Sequence, residues 1–226
     1  MDAKIIQLRE LLRERFPEAH ARSHGPAAVV EDYESGVSCL DEARLSPGSM
    51  VELVTDPSRT GGALVLDEIL RQSARKDRYA ALVDGRGAFD PQSAGCDVCR
   101  QLLWVRCRTA DEALRSADLL LRDGNLPLIL MDLQLNPVRE LQQIRTHVWH
   151  RLAALAEESR ALCCICTPCR LVPCARVRLQ IHAQVDLHAM RADRQQLTTR
   201  LRSQVQRQRP AIQPQTLAFP ELRRAG

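Results

Sequence analysis

The sequence predicts an α/β protein with a mostly parallel sheet and helices on both faces, and two observations carry that prediction. Five short, near-continuous apolar runs occur along the chain, and helical patterns separate them. Strands buried on both faces lose the polar alternation of a half-exposed sheet, and parallel neighbours need a helical crossover. The runs are Met50 to Val54, Ala80 to Asp84, Leu102 to Val105, Leu128 to Asp132 and Leu162 to Cys166. With 226 residues, 45% of them apolar, the chain can bury one core and carry an appendage.

Ahead of the core, Ile5, Leu8, Leu12 and Phe16 recur at spacings of three and four between charged residues. They predict an amphipathic helix over 1–17, closed by Pro17. Residues 18–33 mix His, Ser, Gly and Pro without periodicity and read as a linker, so the core is expected over 34–190. Its helices are expected at Gly62 to Ala74, Thr109 to Arg122 and Val138 to Ser159, with Thr109 and Glu112 forming a capping box. Ala175 to Ile181 alternates polar and apolar residues, as an antiparallel edge strand would. The remainder, 191–226, reads as a basic tail: a helix from Ala192 to Gln206 with Leu197, Leu201 and Val205 on one line, then an extended Gln- and Pro-rich stretch after Pro210.

Composition narrows the function classes. No stretch approaches the roughly 20 apolar residues needed to span a bilayer, and Met1 to Lys4 lead into a charged pattern rather than a signal peptide, so a cytoplasmic protein with no membrane contact is expected. Nine cysteines, an odd number, in a long chain read as reduced thiols. The net charge is +4, but the segment from Arg191 carries eight arginines against Asp193 and Glu221, which leaves the rest slightly negative. Such a tail suits phosphates or an acidic partner.

Ligands of an open parallel sheet bind at the carboxyl ends of its strands. Three turns therefore draw attention: Thr55 to Ala63, Gly85 to Pro91, and the end of the fourth run at Asp132. A carboxylate delivered to the rim by a rigid apolar strand is what a magnesium ligand needs.

Glu34 to Ala43, with Ser35-Gly36 and Leu40-Asp41, followed by Ser46-Pro47-Gly48 and Val51-Glu52-Leu53, resembles the start of the RecA recombinase core. The resemblance continues in order through Leu82-Val83-Asp84, Phe89-Asp90-Pro91, Glu112-Ala113-Leu114, Leu128 to Asp132 and Ala175 to Ile181, roughly residues 34–182. It implies a nucleotide site formed by a phosphate loop at Ser58, Arg59, Thr60, Gly61 and Gly62, with Asp90 and Asp132 nearby. That loop is degenerate. A working one needs Gly-Lys-Ser/Thr, because the lysine bridges phosphates while the hydroxyl holds magnesium. Here the positions hold Thr60-Gly61-Gly62 or Gly61-Gly62-Ala63, and the two lysines of the chain, Lys4 and Lys76, lie elsewhere. Arg86 stands where the family has its catalytic glutamate and cannot act as a base. Thr167-Pro168 replaces the Asn-Gln that senses the γ-phosphate, and both DNA-gripping loops are short.

The expectation is thus a scaffold without hydrolysis: no catalytic residues and no required cofactor, with ATP binding through a Gly61-Gly62 nest and Arg59 as an open alternative. Trp149 to Glu158, Cys166-Thr167-Pro168 and Ala175 to Leu179 resemble bacterial mutagenesis-accessory proteins of the ImuA type. That resemblance implies an adaptor in the SOS response and translesion mutagenesis, with a DNA polymerase-type or RecA-type protein partner. The leading helix and the tail are the expected docking elements, with Arg194, Arg200, Arg202, Arg207 and Arg209 contacting partner or DNA. The rivals are a working recombinase-type ATPase and a regulator of RecA filaments or of cell division.

Cys96 and Cys99, with Cys166 and Cys169, have the spacing of a four-thiolate zinc site. In a parallel sheet the first pair precedes its strand and the second follows its own, so the two lie at opposite rims; no metal site is expected. His147 and His150 share a helix face and read as solvated.

Overall fold

The computed structural model describes residues 31–55, 61–183 and 193–209, together with positions 7, 10, 11, 14 and 15. Seven strands form one sheet: β1 (Met50–Thr55), β2 (Ala80–Asp84), β3 (Leu102–Arg106), β4 (Leu128–Asp132), β5 (Leu162–Thr167), β6 (Val177–Ala183) and β7 (Leu201–Gln208). Their spatial order is β3-β2-β4-β5-β1-β6-β7, parallel throughout except for the antiparallel pair β6–β7. The helices are α1 (Ser38–Asp41), α2 (Gly62–Arg75), α3 (Pro91–Ala94), α4 (Cys96–Arg100), α5 (Ala110–Asp123), α6 (Val138–Gln142), α7 (Thr146–Ser159) and α8 (Arg194–Thr198). The α/β class expected from the apolar runs is the class observed.

Alternate residues of each central strand supply two separate cores. One face packs Ala81, Val83, Ile129, Met131, Cys163 and Ile165 under α5 and α7, where Trp149 and Leu152 are buried. The other packs Val51, Leu53, Leu82, Leu130, Cys164 and Cys166 against α1 and α2. Burying β1, β2, β4 and β5 on both sides explains why their sequences show no alternation. α5 opens as its sequence directs: Thr109 Oγ1 accepts the Glu112 N–H at 3.2 Å, although Glu112 Oε2 reaches past the capping residue to the Arg108 N–H at 2.7 Å.

Four expectations need correction. The helix expected over Val138 to Ser159 is two helices, because Arg145 adopts an extended conformation that redirects the chain into α7. β6 is an interior strand parallel to β1 and not an antiparallel edge; its alternation arises because one face meets the α1–α2 core while Arg178 lies on the other. The helix expected over Ala192 to Gln206 is only α8 followed by β7, which is the antiparallel edge. Leu201 and Val205 satisfy a period of two as well as of four, and pairing with β6 decides between them. The core consequently reaches beyond both proposed boundaries of 34–190: Tyr33 is buried and bridges Leu45, and β7 belongs to the sheet. Removing 191–226 would strip that sheet of its edge. The five described positions before residue 31 are helical, while the rest of the leading helix, most of the 18–33 linker and the segment after Arg209 lie outside the described residues.

Candidate functional site

The parallel register brings the carboxyl ends of β1, β2, β4 and β5 to one rim, with Asp84 opposite Asp132, Asp132 opposite Cys166, and Val54 opposite Thr167. Gln134, two residues beyond β4, organises it. Its backbone and side-chain N–H groups donate to Asp132 Oδ1 at 3.1 and 3.0 Å, and its Oε1 accepts the Thr55 hydroxyl at 2.7 Å. The amide lies against the first residue of α2: a Cβ added to Gly62 would fall 1.6 Å from Gln134 Oε1. Burial pushes the Asp132 carboxyl above the usual carboxylate range; the two Gln134 bonds oppose that rise and the Asp84 carboxylate adds to it.

Asp84 is buried and holds the β2–α3 turn from within. It accepts the N–H groups of Arg86, Ala88 and Phe89 at 3.3, 2.9 and 3.0 Å and the Trp104 indole at 3.2 Å. Phe89 meets Trp104 edge-on with centroids 5.3 Å apart, and Arg106 lies over the same indole. Trp104 is half-buried against the α1–α2 core and props this turn. Gly85 donates to the Asp132 carbonyl at 2.9 Å, and a Cβ there would sit 2.8 Å from that oxygen.

The positions that resemble the base and the sensor are committed elsewhere. Arg86 points to Glu140 at 3.6 Å, and Glu140 also accepts the Ala110 N–H. The Thr167 hydroxyl donates to Glu52 Oε1 at 3.2 Å. Glu52, fully buried in mid-strand, further accepts the Leu171 and Val172 N–H groups at 2.6 and 3.1 Å and pairs with Arg178, which also bonds the Val172 carbonyl. This network pins the loop after β5 to β1. The loops after β4 and β5 are short, 133–137 and 168–176.

Of the phosphate-loop residues named from sequence, Ser58, Arg59 and Thr60 lie outside the described residues. Gly61 precedes α2, Gly62 opens it, and Asp132 shares their rim. Asp90 serves instead as the cap of α3, accepting the Gln92 N–H at 3.0 Å and the Ser93 hydroxyl. Of the tail arginines, Arg194 lies in α8, Arg200 is exposed before β7, and Arg202 bonds the Thr199 and Leu201 carbonyls. Arg207 turns inward to the Pro173 carbonyl at 2.6 Å, and Arg209 lines a pocket at the opposite rim.

Cys96 and Cys99 are exposed on α4, before β3, whereas Cys163, Cys164 and Cys166 are buried along β5, where desolvation raises all three thiols, Cys163 to about 12. His147 and His150 are exposed on α7. Among the described residues no group of three or more metal-ligating side chains converges, and no helix is long and apolar enough to cross a membrane. Gln134, Glu52 and Arg178 were not among the residues singled out from sequence; a polar amide two residues after a rim aspartate, and a glutamate inside an apolar strand, were the available signals. No known protein-family model matches the chain.

Proposed function

We propose that this chain is a non-hydrolysing RecA-like adaptor in bacterial DNA repair, acting in SOS-induced translesion mutagenesis by binding a polymerase-type partner. One observation carries the proposal: the Gln134 side chain lies on Gly62 and engages Asp132, so the chain's own amide takes the room of a phosphate-loop lysine and the hydrogen-bonding capacity of a metal carboxylate. In the register where Gly62 stands for that lysine, any side chain would displace this amide. Arg86 and Thr167 support the same reading, since one is a permanent cation and the other is bonded to Glu52. Short loops after β4 and β5 leave little chain for gripping a strand of DNA along a filament axis.

A sheet that keeps both cores while its rim is tied by internal bonds suits a docking platform better than an engine. The likeness to ImuA-type proteins supplies the class of partner, and a cytoplasmic location goes with it. The test combines two assays on the full-length chain. ATP turnover with single-stranded DNA should stay at background, and affinity capture from DNA-damaged cells should return a DNA polymerase-type protein. Turnover that collapses in Asp132→Asn would overturn the reading, and capture of RecA without a polymerase would replace the adaptor by a filament regulator.

A further inference from the structure

At the amino rim of the sheet, opposite the phosphate-loop side, the chain segments 43–46, 176–177 and 208–209 enclose a pocket of about 330 Å³. Three arginines line it, each from a different segment. Arg44 follows α1 in the left-handed region, φ 53°, where its N–H bonds the Asp41 carbonyl; Arg176 directly precedes β6; Arg209 directly follows β7. The ladder itself sets the last two side by side, because the Arg209 N–H donates to the Arg176 carbonyl at 2.9 Å and Arg176 Nε donates to the Arg209 carbonyl. Gln208 Nε2 closes the wall by donating to the Ala43 carbonyl at 3.2 Å.

Among the described residues none of these guanidiniums makes an ion pair, in contrast to Arg71, Arg75, Arg122, Arg151 and Arg178. Among the described residues one carboxylate reaches the pocket, Asp32, and its Oδ1 accepts the Ser46 hydroxyl at 2.8 Å. Three permanent cations against one anion is an unsatisfied arrangement, and held around a concave space it is an anion site.

We propose that this amino-rim pocket of Arg44, Arg176 and Arg209 binds phosphate groups of a nucleic-acid backbone. Guanidinium forks match phosphate oxygens in pairs. A protein partner would want a desolvated apolar or aromatic anchor, and among the described residues the apolar lining here is only Ala43 and Val177, both buried in the wall. Among the described residues no aromatic side chain lines the pocket, so these residues offer bases nothing to stack on, and contact through the backbone alone predicts indifference to sequence. The proposal extends the nucleic-acid part of the adaptor reading and moves it from the tail to the folded core.

The experiment measures binding of fluorescein-labelled oligo-dT to the full-length chain by anisotropy across a salt series, for the parent and for R44Q/R176Q/R209Q. Loss of up to three phosphate contacts should weaken binding at least tenfold at low salt and flatten the log–log salt slope by about 2. Equal affinity and slope would overturn the proposal. So would binding of inorganic phosphate, or of a polyglutamate peptide, that depends on these arginines while oligo-dT does not bind. Urea midpoints report whether the triple variant folds. If it does not, Arg209→Gln alone, which keeps the backbone bond to Arg176, is read instead with an expected several-fold loss. Partner capture by R44Q/R176Q, which leaves every tail arginine in place, should persist, so failure here and failure of the adaptor reading are distinguishable.

Discussion

The two rims of the sheet treat their polar groups in opposite ways. At the carboxyl rim the strand-end carboxylates are bound to other parts of the chain, Asp132 to Gln134 and Asp84 to the turn that follows it, and in mid-strand beneath them Glu52 is bound to Arg178 and the loop after β5. At the amino rim Arg44, Arg176 and Arg209 surround a pocket without an ion pair among the described residues. Groups satisfied internally contribute to stability and cost much to remove, whereas groups left open toward solvent cost little to remove and are free for a ligand. The contrast therefore separates residues whose loss should unfold the protein from residues whose loss should leave it folded and unable to bind.

The largest effect should come from Glu52. Glu52→Ala leaves the Arg178 guanidinium, only 15% exposed, without its counter-charge and frees the Leu171 and Val172 N–H groups. Breaking a buried pair from one side costs about 3–5 kcal/mol, to be read as a lowered urea midpoint with an unchanged slope. A loss under 1 kcal/mol would mean that the carboxylates held inside the sheet are not internally tied as described, and the contrast with the open arginines would fall with it.

A smaller effect tests the Gln134 plug. Gly62→Ala must push the Gln134 amide off Thr55 and Asp132, and unpairing such groups costs about 1–3 kcal/mol. In a Gln134→Ala background the same change should cost much less, giving a coupling of about 0.5–3 kcal/mol in the cycle. Equal costs in both backgrounds would show that the amide does not occupy the space above Gly62. ATP binding gained by Gln134→Ala, seen as a melting midpoint rising with nucleotide, would sharpen the comparison by identifying the plug as what closes the rim.

How much of this was legible in the sequence depended on the range of the interaction. Strands β1, β2, β4 and β5 could be read because burial on both faces writes itself into consecutive residues. The rim carboxylate Asp132 could be read because strand ends follow from strand positions. β7 could not: Leu197, Leu201 and Val205 fit a helix equally well, and only the β6 ladder, from residues 177–183, settles the matter. Gln134 was opaque for a similar reason. Its meaning depends on Thr55 and Gly62, each more than seventy residues away, and a polar residue after a strand reads as surface until that meeting is known. The pocket arginines combine the two cases, since Arg209 was singled out for its charge while Arg44 and Arg176 join it only through the fold.

The finest test of the contrast is the pH dependence at Asp132. Burial raises its carboxyl above the ordinary value, so the folded chain binds a proton there more readily than the unfolded chain. Stability from this group is therefore fully present below the unfolded value of about 3.9 and is lost as pH rises through the raised folded value. Each unit of displacement corresponds to about 1.4 kcal/mol. Other groups titrate in the same range, so the quantity to measure is the stability of the parent minus that of Asp132→Asn, which keeps an acceptor for the Gln134 donors but does not titrate. That difference should move in the parent's favour as pH falls from 7 toward 4. A flat difference would mean that Asp132 is hydrated as an ordinary rim carboxylate. It would then be as open as the arginines at the other end of the sheet.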